Sequence, residues 1–105
     1  ADTPLVQTNH CLDPAFAAIE GEEPNSSSRR RLATARARLA AGGHDRATIT
    51  ALFADRGDGV DSINRYPEDD QGTATNACLI AVPARRELYA CKGPADRGAW
   101  VHLAF

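Results

Sequence analysis

The stretch "TATNACLIAVPARRELYAC", from Thr73 to Cys91, decides the fold class. Small and polar residues alternate at its start, and the continuous apolar run Leu79–Val82 that follows is typical of a strand buried on both faces. "PARRE" predicts a turn and "LYAC" a returning strand, so the stretch predicts a β-hairpin. The chain ends in "AWVHLAF", whose alternation up to Phe105 predicts one more strand.

Upstream of the hairpin, the segment "SRRRLATARARLAA" has helical periodicity over Ser28–Ala41. Leu32, Ala35 and Leu39 recur at helical spacing, and the opposite face is basic. Ser26 or Ser27 is expected to cap this helix, and Gly42-Gly43 to end it.

A second helix is predicted directly after the two glycines, in "RATITALFADRG". Asp45 is the expected N-cap, and Gly57 the expected stop. The apolar stripe consists of Ile49, Leu52 and Phe53. The two helices would form an αα-hairpin joined by a Gly-Gly turn.

The remaining segments predict shorter structure. A strand is expected over Leu5–His10, a helical turn over Ala15–Glu20 after the Asp13-Pro14 turn, and a loop over Gly21–Ser28. The polar segment 58–73 predicts a loop with a helical turn at Ser62–Arg65. The order of strand, two helices and three strands predicts an α+β fold, with residues 1–105 forming a single segment without an internal domain boundary.

Composition excludes several classes of protein. The 105 residues are 43% hydrophobic and 25% charged, with a net charge of -2, which argues against a nucleic-acid partner. No run approaches the roughly 18 apolar residues of a membrane span, and no signal-peptide pattern is present. Three cysteines without a CxxC spacing predict reduced, buried thiols and a cytoplasmic protein. Abundant Arg, Ala and Gly indicate a bacterial, GC-rich genome.

The polar cluster Thr8–Cys11 is the first candidate for chemistry. A side-chain amide at a strand end, here that of Asn9, can donate to the oxyanion that develops during acyl transfer. The alternative is an Asx-turn, in which Asn9 bonds to its own backbone. Cys11 next to His10 suggests an activated thiol, but neighbours on a strand point to opposite faces, so a structural Cys11 is predicted.

Other polar residues give weaker signals. The three histidines, His10, His44 and His102, show no metal-ligand spacing, so neither a metal nor another cofactor is predicted. Arg29, Arg30 and Arg31 begin the long helix, where the helix dipole disfavours cations. At least one of these arginines should therefore be paired with an acid or bind a ligand, while Arg30 and Arg31 are expected on a solvated face.

Four stretches, in order and at similar spacing, resemble the C-terminal part of the isopenicillin N acyltransferase family. They are "VQTNHCLDPAF", "SSSRRRLATARARL", "HDRATITALFADRGDG" and "GTATNACLIAVPARRELYACKGP". The resemblance covers nearly the whole chain from Leu5 onward. Its most specific part is the T-N-H element followed by S-x-x-R. These proteins are cysteine-nucleophile Ntn hydrolases, related to choloylglycine hydrolases and acid ceramidase.

The resemblance implies an αββα sandwich and an enzyme that attacks an amide or thioester with an N-terminal cysteine. Asn9 would match the asparagine of the oxyanion hole, and Thr8 and His10 beside it would contact substrate. Ser26 and Arg29 would match the S-x-x-R element, in which the arginine lies near the active site and either orients a carboxylate or holds the surroundings of the nucleophile. Thr73 and Thr75 would match a core sheet segment of the family.

The N-terminal nucleophile of that family has no counterpart here, because the sequence starts with Ala1 and no cysteine has the expected context. The nucleophile is therefore expected on a preceding segment or a partner subunit, with a small acyl amide or thioester as substrate. In an αββα sandwich, strands of this chain alone would leave a sheet edge and a sheet face unpaired. The alternative is a non-catalytic interaction module derived from the same fold, whose helices bind a protein partner.

Overall fold

The computed structural model of the chain describes residues 4–10, 12–17 and 26–105. This part has the α+β fold class that the sequence predicts, and it consists of three α-helices and one three-stranded antiparallel sheet. The helices are α1 (Pro14–Ala17), α2 (Ser26–Ala40) and α3 (Arg46–Phe53). The strands are β1 (Ala77–Val82), β2 (Glu87–Lys92) and β3 (Trp100–Ala104).

Helix α2 confirms the strongest helical pattern of the sequence and buries Leu32 and Ala35. It begins at Ser26, two positions before the predicted start, so Ser26 and Ser27 lie inside the first turn rather than at the cap. Gly42 follows with a φ of 97°, a left-handed conformation that favours glycine and ends the helix as predicted.

Helix α3 has the predicted N-cap, because the Asp45 carboxylate accepts the backbone N–H of Thr48 at 2.8 Å. The helix ends at Phe53, and the prediction that it continues to Gly57 is wrong. Beyond the helix the backbone bonds to the following loop instead, because the carbonyl of Asp55 accepts the N–H of Asn64 at 3.1 Å. Helix α3 packs against β1.

The loop between α3 and β1 contains two 3₁₀ turns, Gly59–Asp61 and Pro67–Asp69. They flank Ser62–Arg65, where a helical turn was predicted wrongly. Ser62 is 1% exposed, and its hydroxyl accepts the Asp58 N–H at 3.0 Å, which closes the first turn without extending it. Helix α2 packs against this first turn, so the loop is in contact with the helices.

Charged and aromatic side chains fix the second half of the loop. Arg56 forms a bidentate ion pair with Asp69, with N–O distances of 2.6 and 2.8 Å, and lies 4.0 Å from the centroid of the Tyr66 ring. The Tyr66 hydroxyl donates to Asp96, which also accepts the amide of the fully buried Asn64 at 2.8 Å. These contacts join the loop to the segment before β3.

The sheet has the order β1-β2-β3, and the predicted hairpin is confirmed. Cys78 pairs with Cys91 across β1 and β2, and both are free, buried thiols. They pack with Ala95 against Phe53 and Trp100. Burial raises the pKa of the Cys78 thiol, and the neighbouring Cys91 raises it further, which keeps this sulfur protonated.

Gly98 allows the chain to pass closely over this core. A Cβ added there would overlap the carbonyl oxygen of Lys92 and would lie 2.5 Å from Sγ of Cys91. The indole N–H of Trp100 donates to the carbonyl of Ala95 at 2.9 Å across the same loop. Only glycine therefore fits at this crossing.

The other face of the sheet is apolar and open in the described part of the chain. The prediction that Leu79–Val82 is buried on both faces is wrong, because burial alternates along β1 and Leu79 is 62% exposed. The register places Val101 opposite Ala90 and Leu103 opposite Leu88 on this outer face. Four large residues are exposed on it or at its end: Leu79, Val101, Leu103 and Phe105.

The N-terminal residues also depart from the prediction. The strand expected at Leu5–His10 is not formed; this segment runs irregularly along α2 and pairs with no strand among the described residues. Helix α1 confirms helical structure at 15–17, whereas 18–20 and the predicted loop at 21–25 lie outside the described residues. Cys11 and its predicted structural role also lie outside them.

Candidate functional site

Ser28 anchors the Thr8–His10 segment to the first turn of α2. It is 1% exposed, and its Oγ accepts the backbone N–H of Asn9 at 2.8 Å. The Thr8 hydroxyl donates to the Ser28 carbonyl at 3.0 Å, and the two hydroxyl oxygens are also 3.0 Å apart. Nδ1 of His10 lies 2.8 Å from Ser28 Oγ. One buried serine therefore holds three consecutive residues.

One assignment of protons satisfies these contacts together. The Thr8 hydroxyl donates to the Ser28 carbonyl, the Ser28 hydroxyl donates to Thr8 Oγ, and the His10 Nδ1–H donates to Ser28 Oγ. Ser28 Oγ then accepts two hydrogen bonds, from His10 and from the Asn9 backbone. Thr8 and His10, predicted to contact substrate, are engaged with this serine and position the backbone between them.

An apolar cavity of about 490 Å³ opens beside this segment. Its walls come from the N-terminal residues, from α2 and α3, and from the loop after α3. Its principal apolar side chains are Leu5, Leu39, Ile49, Leu52, Phe53 and Ile63. The predicted apolar stripe of α3 thus lines a cavity, with Leu52 buried and Ile49 and Phe53 half-buried.

A second, polar cavity of about 610 Å³ lies next to the first. Arg31 and Arg65 line it together with Asp61, so its described charged residues carry one excess positive charge. Its remaining wall includes Thr73 and Thr75, the two threonines assigned to a core sheet segment. They precede β1, and Thr75 exchanges hydrogen bonds of 3.0 Å with the backbone of Arg65.

Asn9 lies at the junction of the two cavities. It lines both of them, as do Arg31 and Ile63. Its backbone N–H is fixed by Ser28, while its side-chain amide forms no hydrogen bond within the described residues. An Asx-turn of Asn9 would close on the backbone N–H of residue 11, which lies outside the described residues, so this alternative stays open.

The arginine that reaches this site is Arg31 rather than Arg29. Arg29 is exposed and lines neither cavity, whereas Arg31 is half-buried and lines both. The prediction of Arg31 on a solvated face is wrong. "SSSRRR" contains three overlapping S-x-x-R patterns, and the inward pair is Ser28 with Arg31. The sequence did contain a signal for an inward arginine: the helix dipole disfavours cations at a helix start, so at least one of the three arginines was expected to be paired or to bind a ligand.

The two cavity arginines are incompletely paired. Burial lowers the pKa of Arg31, the nearby Arg65 lowers it further, and Asp61 opposes both effects. Nε of Arg31 donates to Ser27 Oγ at 3.2 Å. Nε of Arg65 is buried and has no hydrogen-bond partner in the described part of the chain. Neither guanidinium forms an ion pair within 4.0 Å with a described residue, although Asp61 lines the same cavity.

Other chemistry has no comparable arrangement. Within residues 4–10, 12–17 and 26–105, no three His, Cys, Asp or Glu side chains are grouped to hold a metal ion. His102 is instead stacked on Tyr89, with centroids 4.6 Å apart, and His44 contacts the Leu39 carbonyl. None of the helices in the described part has both the length and the apolar character required to cross a membrane.

Comparisons with known proteins do not assign the chain to a family. No family model matches it, and no curated protein matches it.

Proposed function

We propose that this chain is the C-terminal portion of a cysteine-nucleophile Ntn hydrolase or acyltransferase, and that Asn9 supplies its oxyanion hole. The observation that carries the proposal is the position of Asn9 between an apolar and a polar cavity. Its backbone N–H is held by Ser28, and its side-chain amide has no hydrogen bond to a residue that the structure describes. An acyl group fits the first cavity, and the polar part of an amide or thioester fits the second.

In the proposed reaction, a sulfur supplied by another segment attacks the acyl carbon. The carbonyl oxygen becomes negative, and the Nδ2–H of Asn9 donates a hydrogen bond to it. When this tetrahedral intermediate collapses, the C–N or C–S bond of the substrate breaks, and the amine or thiol leaves with the proton that the attacking thiol has lost. Ser28 holds the backbone of Asn9, which limits how far the side-chain donor has to reorganise as charge develops. Cys78 and Cys91 are unsuitable nucleophiles, since both are buried in the sheet core and neither lines either of the two cavities beside Asn9.

The outer face of the sheet supports the proposed sandwich. In an αββα arrangement a second sheet covers the face opposite the helices, and here that face carries Leu79, Val101 and Leu103 in exposed positions. The proposed partner is therefore a segment or subunit that provides both the second sheet and the nucleophile.

The test uses the native gene product, whose chain composition intact-mass spectrometry defines. Its turnover is measured on a panel of acyl p-nitroanilides and acyl thioesters. We expect Asn9→Ala to lower kcat about 100-fold or more with little change in KM, as for the loss of an oxyanion donor. The matched control is Asn76→Ala, an exposed asparagine that lines neither cavity. Absent turnover, or turnover that survives Asn9→Ala, would refute the proposal.

The second candidate is an interaction module without catalysis. The apolar outer face of the sheet favours it, because exposed patches of this kind mark contact surfaces. A native product that lacks acyl transfer, and that loses a bound protein when Leu103 is changed to Lys, would favour the module over the enzyme.

A further inference from the structure

We infer that a third cavity, between the start of α3 and the 3₁₀ turn Pro83–Arg85, binds a phosphate group through Arg46 and Arg85. The group is that of inorganic phosphate or of a phosphate monoester. The cavity has a volume of about 200 Å³ and shares no residue with the two cavities beside Asn9, so the inference does not depend on the proposed function. Its charged and polar lining consists of His44, Asp45, Arg46, Arg85, Glu87 and Tyr89.

Arg46 is held at this cavity by an aromatic ring. Its guanidinium carbon lies 4.3 Å from the centroid of the Tyr89 ring. His102 stacks on Tyr89 with ring centroids 4.6 Å apart and planes 9° apart, so the position of the tyrosine ring is itself fixed. A guanidinium that contacts the π-electrons of a ring keeps its N–H donors free. Arg46 is therefore positioned without the use of its hydrogen-bonding capacity.

Arg85 brings a second guanidinium to the same place. The hydrogen bond that Tyr89 donates to Glu87 raises the pKa of the tyrosine, and the charges of Arg46 and Arg85 oppose this effect. Both cations therefore lie near the tyrosine hydroxyl. Neither arginine forms an ion pair within 4.0 Å with an acid in the part of the chain that the structure describes.

The two acids of the cavity are already engaged. Asp45 accepts the backbone N–H of Thr48 at 2.8 Å as the N-cap of α3, and hydrogen bonds from Thr48 lower its pKa. Glu87 accepts the hydroxyl of Tyr89 at 2.7 Å. These carboxylates reduce the positive potential of the cavity, but they do not occupy the donors of its two guanidiniums. Those donors are the part of the cavity that a ligand can satisfy.

A phosphate group matches two guanidiniums that come from different elements. Each guanidinium presents a planar fork of N–H donors, which forms paired hydrogen bonds with the oxygens of a phosphate. The oxygens of a phosphate point in several directions and accept from two forks at once, whereas one fork satisfies both oxygens of a carboxylate. Phosphate also carries a charge of nearly -2 at neutral pH, one for each arginine. We therefore expect selectivity for phosphate over a monocarboxylate.

The test is an NMR titration of the full 105-residue chain with sodium phosphate, at constant ionic strength and followed at the amide signals of Arg46, Arg85 and Tyr89. We expect saturation with a Kd of about 1 mM or lower, and at least about tenfold weaker binding of acetate. A parallel titration with glycerol 3-phosphate separates the two sources: comparable binding indicates a monoester site, and much weaker binding a site for the free ion. Shifts that do not saturate, or equal binding of acetate, would overturn the inference.

Arginine variants locate the site. Arg46→Gln and Arg85→Gln should each weaken phosphate binding at least about tenfold. Arg36→Gln is the matched control, because Arg36 is exposed and lines none of the three cavities. Urea denaturation verifies the fold of each variant, and if Arg46→Gln fails to fold, the exposed Arg85 carries the test. An equal effect of Arg36→Gln and Arg85→Gln would show that phosphate responds only to net charge and would overturn the site.

An acid variant tests the sign of the electrostatic effect. Glu87→Gln removes a negative charge from the cavity and keeps an oxygen that accepts the Tyr89 hydroxyl, so phosphate should bind severalfold more tightly. Asp70→Asn removes the same charge at an exposed position outside the three cavities and should have a smaller effect. Weaker or unchanged binding by Glu87→Gln would contradict a phosphate bound between Arg46 and Arg85.

Discussion

Replacing Ser28 with Ala tests whether one buried hydroxyl holds the Thr8–His10 segment. The substitution removes three contacts of Oγ, to the Asn9 N–H at 2.8 Å, to His10 Nδ1 at 2.8 Å and to Thr8 Oγ at 3.0 Å. A hydrogen bond contributes about 0.5–1.5 kcal/mol net, so the three together contribute about 1.5–4.5 kcal/mol. Water reaches the released partners, and Ala favours the helix by about 0.5 kcal/mol, so we expect a net loss of about 2 kcal/mol.

The assay has two readouts, because the segment can detach without unfolding the rest of the molecule. Urea denaturation reports the free energy of unfolding, and amide hydrogen exchange reports the protection of the Asn9 N–H directly. We expect that protection to fall at least about tenfold, the equivalent of 1.4 kcal/mol. Ser27→Ala is the matched control, since its hydroxyl accepts one bond of 3.2 Å from Arg31 and none from Asn9. A destabilisation below about 0.5 kcal/mol with unchanged exchange at Asn9 would refute the reasoning.

Three further predictions concern the scaffold. The ion pair with Arg56 lowers the pKa of Asp69 from 3.8 to about 2. The contribution of this carboxylate to stability is therefore present above pH 3.8 and is lost as the pH falls toward 2. In Asp69→Asn, the midpoint of urea denaturation should change less with pH in this window. Gly98→Ala should destabilise the protein by about 1–3 kcal/mol in urea denaturation, because the added Cβ overlaps the Lys92 carbonyl. Leu103→Lys should reduce self-association in size-exclusion chromatography, because it places a charge on the apolar outer face.

Each of these has a control or a contradicting outcome. If the denaturation midpoint of Asp69→Asn depends on pH in the same way as that of the unsubstituted protein, the ion pair is not the cause of that dependence. Gly57→Ala should be nearly neutral, since its Cβ would meet only an Asp55 oxygen at 3.4 Å. Val60→Lys, at a residue 40% exposed but outside the sheet, should leave self-association unchanged, and an equal effect of both lysines would contradict the role of the outer face.

Local signals in the sequence were sufficient for most elements. The N-cap Asp45, the glycine stop after α2 and the turn between β1 and β2 each depend on a few neighbouring residues, and all are confirmed. Arg86 has a left-handed φ of 56° after the turn, a conformation that favours glycine. The geometry of the turn can therefore impose a backbone conformation that the residue itself does not prefer. Boundaries set by tertiary contacts were missed, as at Phe53, where loop contacts replace further helix.

Burial was harder to predict than secondary structure. Leu5 and Val6 indicated a strand, but a strand requires a neighbour, and here the two residues line a cavity instead. The apolar run in β1 indicated two covered faces, yet Leu79 is open. Both errors have the same origin: a sequence records that a side chain is apolar, but not which surface it will contact.

The candidate site could be predicted only in part. Asn9 was identified by its type and by the resemblance, and its functional role stays a prediction. Arg31 was missed because three consecutive arginines differ only by about 100° of rotation around the helix, and the choice of inward residue depends on where the N-terminal segment docks. Ser28 was missed for the same reason among three consecutive serines.

The hairpin and β3 place a constraint on the order of folding. Their strands pair with sequence neighbours across short turns, so this sheet needs only contacts of low sequence separation and can form rapidly. Asn9, in contrast, is held by Ser28 across 19 positions. During synthesis on the ribosome, Asn9 emerges before α2 and lacks its contact with Ser28 until the first turn of α2 has followed it. The position of Asn9 is thus fixed by a helix rather than by the sheet.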